Sequence, residues 1–292
     1  MNSERVAASV SAREIIQPVL FERFRELIRR TAGIHIASYK NSFLANRLRQ
    51  RMSFLEIDFF EEYWNYISGE GGKEELQILL ELVTTNVTSF FRENNQFEFL
   101  LTTVLPEFVN RAEAGGQRRI RVWSTACASG EEPYSIAMTL MEGLPSPQRW
   151  DVKILASDIS LKMLERAAEG LYTVESVSEL SSRRRRFFEE SGRMCRITPD
   201  IADWVVLKRI NLAGGKLPVK AQFDMIFCRN VMIYFDRTTQ RRVVEELVSH
   251  LKDGGYLFMG HAESLRQHTD LVEFVEPTIY RKRRVRQVND AA

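Results

Sequence analysis

Three short segments bring together residue types able to handle a charged ligand. The first is Val122-Trp123-Ser124-Thr125-Ala126-Cys127-Ala128-Ser129-Gly130-Glu131-Glu132-Pro133-Tyr134. Its small residues let a ligand approach the backbone, and Pro133 suits the first turn of a helix. A single glycine stands here, so the three-glycine dinucleotide fingerprint is not met. A helix N-terminus ordinarily draws phosphate through its dipole and free N–H groups. Glu131 and Glu132 would repel phosphate and would suit an ammonium group instead. S-adenosylmethionine carries an α-ammonium, a sulfonium and no phosphate. The two glutamates would equally serve to complement the helix dipole and nothing more.

The second segment is Ile154-Leu155-Ala156-Ser157-Asp158, whose acid stands 28 residues beyond Gly130. An acid at the tip of a second strand can accept both ribose hydroxyls of an adenosine; Asp158 would also serve as an N-cap for the helix that follows. The third segment is Phe223-Asp224-Met225-Ile226-Phe227-Cys228-Arg229-Asn230-Val231-Met232-Ile233-Tyr234-Phe235. It reads as a buried strand that ends in two polar residues, Arg229 and Asn230, at a pocket mouth or in an ordinary turn. Cys228 reads as core, since nothing nearby would lower its pKa. Amino-methyltransferases of DNA have Pro-Pro-aromatic after a polar residue here, and Val231-Met232 argues against that chemistry.

These segments need a scaffold of alternating strands and helices. Ile120–Trp123, Val152–Ala156, Phe223–Cys228 and Tyr256–Met259 read as strands. Glu131–Met141, Leu161–Ala168 and Thr238–Leu251 read as helices between them. This alternation predicts a mostly parallel sheet with helices on both faces. It fails over 172–206, where Arg183-Arg184-Arg185-Arg186, a Ser-Gly turn, Cys195-Arg196-Ile197 and Trp204-Val205-Val206-Leu207 suggest a small inserted subdomain of antiparallel strands. The arginine run reads as a solvated helix face. Ahead of the sheet, helical stripes recur at Phe21/Phe24/Leu27/Ile28, Leu44/Leu48/Met52, Phe59/Tyr63/Ile67 and Leu76/Leu79/Leu80/Val83. The expected organisation is a helical domain over 14–83, a linker and domain start over 84–117, an α/β domain over 118–283 carrying the insert, and a solvated tail over 284–292.

Composition narrows the options. Of 292 residues, 44% are apolar and 27% charged, which excludes compositional disorder. Forty-one basic against 39 acidic residues leave no field that points to nucleic acid. No stretch approaches about 18 apolar residues, so no membrane span is expected, and charges in the first residues do not suit a signal peptide. Cys127, Cys195 and Cys228 make no disulfide framework, which predicts a reducing cytoplasm. His35, His250, His261 and His268 have no metal-ligand spacing, and no metal site is expected. Charge is segregated, however. Residues 1–53 hold ten basic and four acidic residues, and residues 54–82 hold one basic and eight acidic.

Four motifs together resemble the chemotaxis-receptor methyltransferases, the CheR family. They are Thr84-Thr85-Asn86-Val87-Thr88-Ser89-Phe90-Phe91-Arg92-Glu93, the Ser-Gly-Glu-Glu-Pro-Tyr core of Ala126–Tyr134, Ala156-Ser157-Asp158-Ile159, and Phe227–Phe235. The resemblance covers about residues 15–282 in family order. It implies an all-helical N-terminal domain and a Rossmann-like S-adenosylmethionine-dependent methyltransferase domain with a small inserted antiparallel β-subdomain. It implies methyl transfer to glutamate side chains on the cytoplasmic helical bundle of chemoreceptors, giving γ-glutamyl methyl esters and S-adenosylhomocysteine. By resemblance, Asn86, Thr88, Arg92, Glu132, Asp158, Asn211, Leu212, Arg229 and Asn230 line the cofactor site, and Arg92 and Tyr234 lie near the transferred methyl.

A glutamate substrate is already an anion at pH 7, its pKa being about 4.3, so no general base is required. Arg92 can orient that carboxylate. Lys40, Arg47 and Arg51 share one face of a basic helix, which the family turns toward its acidic receptor. Some members carry a longer β-subdomain loop that captures a C-terminal peptide tether of the receptor. Here only eight residues separate Phe188 from Ile197, too few for that dock, and tether-independent recognition is expected. The competing reading from another class is a non-catalytic signalling module that binds S-adenosylmethionine or S-adenosylhomocysteine.

Overall fold

The computed structural model describes residues 16–265 and 270–283. Two compact units form. One ends at Thr85 and also takes Tyr234–Asp236; the other runs from Asn86 to Ile233 and resumes at Arg237. The expected tail over 284–292, the start of the helical domain at 14–15, and His268 lie outside the described residues.

The first unit is helical: α1 Pro18–Ala32, α2 Asn41–Phe54, α3 Phe60–Ser68 and α4 Gly72–Val83. Pro18 opens α1, where its missing N–H costs nothing, and Gly33 closes it at φ 72°. The apolar stripes meet in a core of Phe24, Ile28, Leu44, Leu48, Tyr63 and Leu79, all fully buried. One stripe is shifted by a residue. Phe59 is exposed and Phe60 is buried in its stead, because Phe59 is the extended residue just before α3.

The second unit opens with helical turns over Asn95–Phe99 (α5), Leu100–Val104 and Leu105–Glu113 (α6). Of the expected linker and domain start over 84–117, the domain start is what forms, and only the linker part is corrected. Phe90, Phe91, Phe97, Phe99, Leu100 and Phe108 are buried in the main core, and burial of that much aromatic surface is a strong driving force.

The strands are β1 Arg119–Ser124, β2 Asp151–Asp158, β3 Leu171–Thr173, β4 Phe188–Ser191, β5 Met194–Ile197, β6 Val205–Arg209, β7 Phe223–Cys228, β8 Leu251–Met259, β9 Val272–Glu276 and β10 Ile279–Lys282. Seven make one sheet in the order β6-β2-β1-β7-β8-β10-β9. The first five run parallel, and β10 pairs antiparallel with both β8 and β9. β7 is buried at every position, as a central parallel strand must be. Strand order reverses beside β1, so the exits of β1 and β7 flank the crevice where open α/β sheets bind ligands. The helix α7 Glu131–Gly143 follows β1, α8 Leu161–Glu169 follows β2, and α12 Arg237–Ser249 lies between β7 and β8.

The insert is a three-stranded antiparallel sheet, β3-β5-β4, with short helices α9 Val174–Val177, α10 Ser182–Arg185 and α11 Pro199–Ala202. β4 and β5 join through the two-residue turn Gly192-Arg193, with Gly192 at φ 64°. The expected insert boundary at 206 is corrected. Val205–Arg209 pairs parallel with β2 and forms the edge of the main sheet. The arginine run is not wholly solvated either: Arg184 stacks 3.5 Å from the centre of the Phe91 ring. Arg281 and Lys282, which lead into the expected tail, belong to β10. Among the described residues no helix is long and apolar enough to cross a membrane.

Candidate active site

The loop after β1 is held by partners from three directions. Asp158, at the end of β2, is buried and accepts the Ala128 N–H at 2.9 Å through Oδ2 and the Ser160 N–H at 2.9 Å through Oδ1. Ala128 sits at φ 45°, a region that L residues rarely enter, and the bond to Asp158 offsets that cost. Tyr172 of the insert donates its hydroxyl to the Ser129 carbonyl at 2.7 Å. Gly130 has φ 99°, and a Cβ there would lie 2.8 Å from the Tyr172 hydroxyl. Tyr134 donates to the Ala167 carbonyl at 2.6 Å, tying α7 to α8.

The two acids that open α7 differ. Glu131 accepts from the Ser129 hydroxyl at 2.8 Å, and burial raises its carboxyl above the usual range. Glu132 turns back toward the strand ends. Its Oε1 accepts the Ser124 hydroxyl at 2.7 Å, and its Oε2 accepts Arg229 Nη1 at 2.9 Å.

Arg229 is the centre of the site. Its side chain is 2% exposed. Besides Glu132, its Nη2 donates to the Arg92 carbonyl and lies 3.2 Å from Glu93 Oε2. That second ion pair is attractive by distance but poorly aligned as a hydrogen bond. The guanidinium lies 5.6 Å from the Phe97 ring centre. Phe97, Phe227 and Phe258 form a ring column, the last two 4.2 Å apart and parallel within 4°. A rigid apolar stack therefore backs a buried cation paired with two carboxylates. Burial alone would raise the Glu93 carboxyl, but the Arg229 charge and hydrogen bonds from Asn230 and the His261 N–H outweigh it and hold it below the usual range.

Asn230 sits at φ 57° and donates Nδ2–H to Glu93 Oε1 at 3.2 Å. Its own N–H goes to Glu263. Arg92 is half-buried and donates Nη1–H to the Val87 carbonyl at 2.8 Å. Of the five donors of a guanidinium, this is the one engaged among the described residues. Asn86 and Thr88 lie half-buried on the same segment. Asn211 and Leu212 follow β6; Asn211 Oδ1 accepts the Ala213 N–H at 3.0 Å, and Leu212 is buried.

The second compact unit thus contains all nine residues expected at the cofactor site. Tyr234 belongs to the helical unit, where its carbonyl accepts the His35 N–H at 2.6 Å. In the docking set, Lys40 and Arg47 are exposed. Arg51 is corrected. It makes a fork to Glu75, with Nη2 2.7 Å from Oε2 and Nε 2.9 Å from Oε1, because burying Glu75 on α4 demands a counter-charge. Two further acids complete the site, Glu93, which lies within the first family motif, and Glu263, which lies outside all four motifs. For Glu263, an acid shortly after Gly260 at the end of a strand was the available signal. Burial pushes the Cys228 thiol up and leaves it no nucleophile.

The donor set fits S-adenosylmethionine. Two carboxylates, Glu132 and Glu93, pair with one arginine, and a third, Asp158, ends the neighbouring strand β2 and holds the loop after β1, a charge balance that suits a cationic ligand rather than a phosphate. Arg229 Nε is buried with no hydrogen-bond partner among the described residues, a donor that a ligand carboxylate would satisfy. Among the described residues no cluster of His, Cys, Asp and Glu could hold a metal ion.

Residues 20–84 match the family model for the CheR methyltransferase all-alpha domain, and residues 86–281 match that for the CheR methyltransferase SAM binding domain. A chemotaxis protein methyltransferase of Escherichia coli is 39% identical over 250 residues, covering 84% of each chain. One from Salmonella typhimurium is 37% identical over 265 residues, covering 89% of this chain and 88% of the relative. Chemotaxis protein methyltransferase 2 of Pseudomonas aeruginosa is 36% identical over 266 residues, covering 89% and 91%.

Proposed function

Since the chain belongs to the CheR methyltransferase family, we propose that it methylates glutamate side chains of chemoreceptors with S-adenosylmethionine as donor. The observation that carries this reading is the acidic, arginine-centred site at the exits of β1, β2 and β7. When bound, the donor supplies an electrophilic methyl group on a sulfonium. Asp158, at the tip of β2, is suited to the ribose hydroxyls. Glu132 supplies negative charge for a cationic donor, and Arg229 fixes Glu132, Glu93 and the Arg92 main chain in one geometry.

Arg92 orients the substrate carboxylate through the donors it has not engaged. A hold that is too strong would stabilise the ground-state anion and slow the reaction, so its role is alignment. Charges are neutralised as the methyl moves, and no proton has to be removed. Alignment of the two reactants supplies the rate gain, which in general reaches about 7 kcal/mol or more. Tyr234 is the second residue assigned to the methyl region; its role rests on the family motif alone.

Lys40 and Arg47 form the docking face for an acidic receptor helix. Recognition does not depend on a C-terminal pentapeptide tether, a reading supported by the two-residue turn between β4 and β5. Titration of a fluorescent receptor C-terminal pentapeptide checks this, and saturable micromolar binding would overturn it. The protein acts in the cytoplasm and on protein, not nucleic acid.

The deciding experiment gives the full chain methyl-labelled S-adenosylmethionine and a chemoreceptor cytoplasmic fragment. Label on the fragment that mild alkali releases as methanol is the expected result. Arg92→Ala lowers the rate about 10²-fold, with the melting temperature kept. Alkali-stable label means nitrogen or carbon methylation and a wrong substrate class. Tight donor binding without label on any receptor of the same genome favours the non-catalytic module.

A further inference from the structure

Glu263 lies on the loop after β8 and is 7% exposed. Main-chain N–H groups surround its carboxylate. Oε2 accepts from Asn230 at 2.9 Å and from Gly260 at 2.7 Å, and Oε1 accepts from Met232 at 2.7 Å. One side chain therefore fastens the exit of β7 to the exit of β8. Between the two bonds to the β7 exit, Asn230 holds φ 57°, a conformation that L residues avoid. Main chain and side chain of Asn230 are fixed by different acids, Glu263 and Glu93.

Gly260 gives a second, separate observation. A Cβ there would lie 2.6 Å from Asn230 Nδ2, 2.8 Å from Asn230 N and 2.8 Å from Glu263 Oε2. The space that a side chain would need is filled by the very atoms of this contact.

We infer that Glu263 is a positioning residue for methyl transfer: it locks Asn230 in its left-handed conformation, so that the Asn230 amide and the adjoining Arg229 meet the methyl donor in one geometry. The inference rests on the proposed function. A carboxylate suits this job better than an amide because it accepts at both oxygens. Glutamine would turn a donor toward N–H groups that need an acceptor, and buried donors left without one are costly.

The test compares wild type, Glu263→Gln and Gly260→Ala as full chains, with Leu247→Ala, in the buried face of α12, as a control for stability alone. Calorimetry reads S-adenosylhomocysteine affinity, and label transfer gives kcat and the KM for S-adenosylmethionine. Both test variants should weaken the ligand and raise that KM about tenfold to hundredfold, as small misplacements of site groups do. Leu247→Ala should lower the melting temperature with affinity unchanged. Because one contact is broken twice, the double variant should be no worse than the poorer single one. Wild-type affinity and KM in Glu263→Gln would overturn the inference, as would full additivity or an equal affinity loss in the control at matched melting temperature. Wild-type protein that binds no S-adenosylhomocysteine would sink the reading of the site itself, and the inference with it.

Discussion

Two ion-paired arginines, Arg51 half-buried and Arg229 buried, make an instructive pair. In the helical unit, Arg51 forks onto Glu75, and Tyr63 donates its hydroxyl to Glu75 Oε1 at 2.6 Å. One cation meets one carboxylate, both carboxylate oxygens are bonded, and burial together with that carboxylate pushes the Tyr63 hydroxyl far above its ordinary pKa. In the α/β unit, Arg229 faces two carboxylates and a carbonyl, and its Nε has no hydrogen-bond partner among the described residues. The first constellation is closed and neutral; the second carries excess negative charge and an open donor. A closed pair holds helices together. An open, over-acidic one is stable in company with a cationic ligand that also brings an acceptor.

Replacing Arg229 should give the largest effect. Arg229→Met leaves the half-buried Glu93 and Glu132 without their counter-charge; loss of one partner of a fully buried pair in general costs about 3–5 kcal/mol, and the loss here should approach the lower end. Methyl transfer per folded molecule should fall about 10³-fold, the scale seen when a preorganised site donor is removed. Urea unfolding and label transfer measure the two losses separately. Stability lost with transfer intact would reduce Arg229 to a structural cation like Arg51.

Arg51→Met should also destabilise, by about 3 kcal/mol, yet leave the S-adenosylmethionine KM unchanged. Adding Glu75→Leu should recover most of that loss, because a buried ion pair and an apolar replacement are often of similar stability. The contrast sharpens with Lys40→Glu and Arg47→Glu. These exposed changes should barely move stability, within about 0.5 kcal/mol, but should raise the receptor KM several-fold at low salt and less at high salt. If Arg51→Met behaved like them, the fork to Glu75 would not be its main task and Arg51 would return to the docking face.

The same two constellations explain what was legible in the sequence. Asp158 ends β2, Arg229 directly follows β7 and Glu132 lies in the first turn of the helix after β1, so local pattern put them at the sheet's carboxyl ends. Glu93 and Glu263 come from loops distant in sequence from Asn230, and much of what they bind is main-chain N–H, which every residue has and no motif advertises. Helical spacing revealed which face Arg51 shares with Arg47, but not that Glu75 would reach across from α4. Trp204-Val205-Val206-Leu207 read correctly as a strand. Its run of branched residues fits the edge of a main sheet as well as an insert, and the choice was made by register with Ile154–Asp158. The segment 84–117 read as a linker leading into the domain, not as packed helix, because its buried phenylalanines follow the mixed α and π turns of 95–113 rather than one long stripe.

Glu93 offers the smallest and most discriminating test. Its folded pKa lies below the usual carboxylate range. A carboxylate depressed in this way contributes stability above its unfolded pKa, about 4.3, and loses it as pH falls through the folded value. The stability gap between wild type and Glu93→Gln should therefore be flat from pH 7 to about pH 5.5 and shrink below about pH 4.3. Urea titrations at stepped pH read it directly. A gap that widened on acidification would mean that burial dominates at Glu93, and that Arg229 is paired with Glu132 alone. The site would then be as closed as the pair in the helical unit, and the distinction between the two arginines would fall.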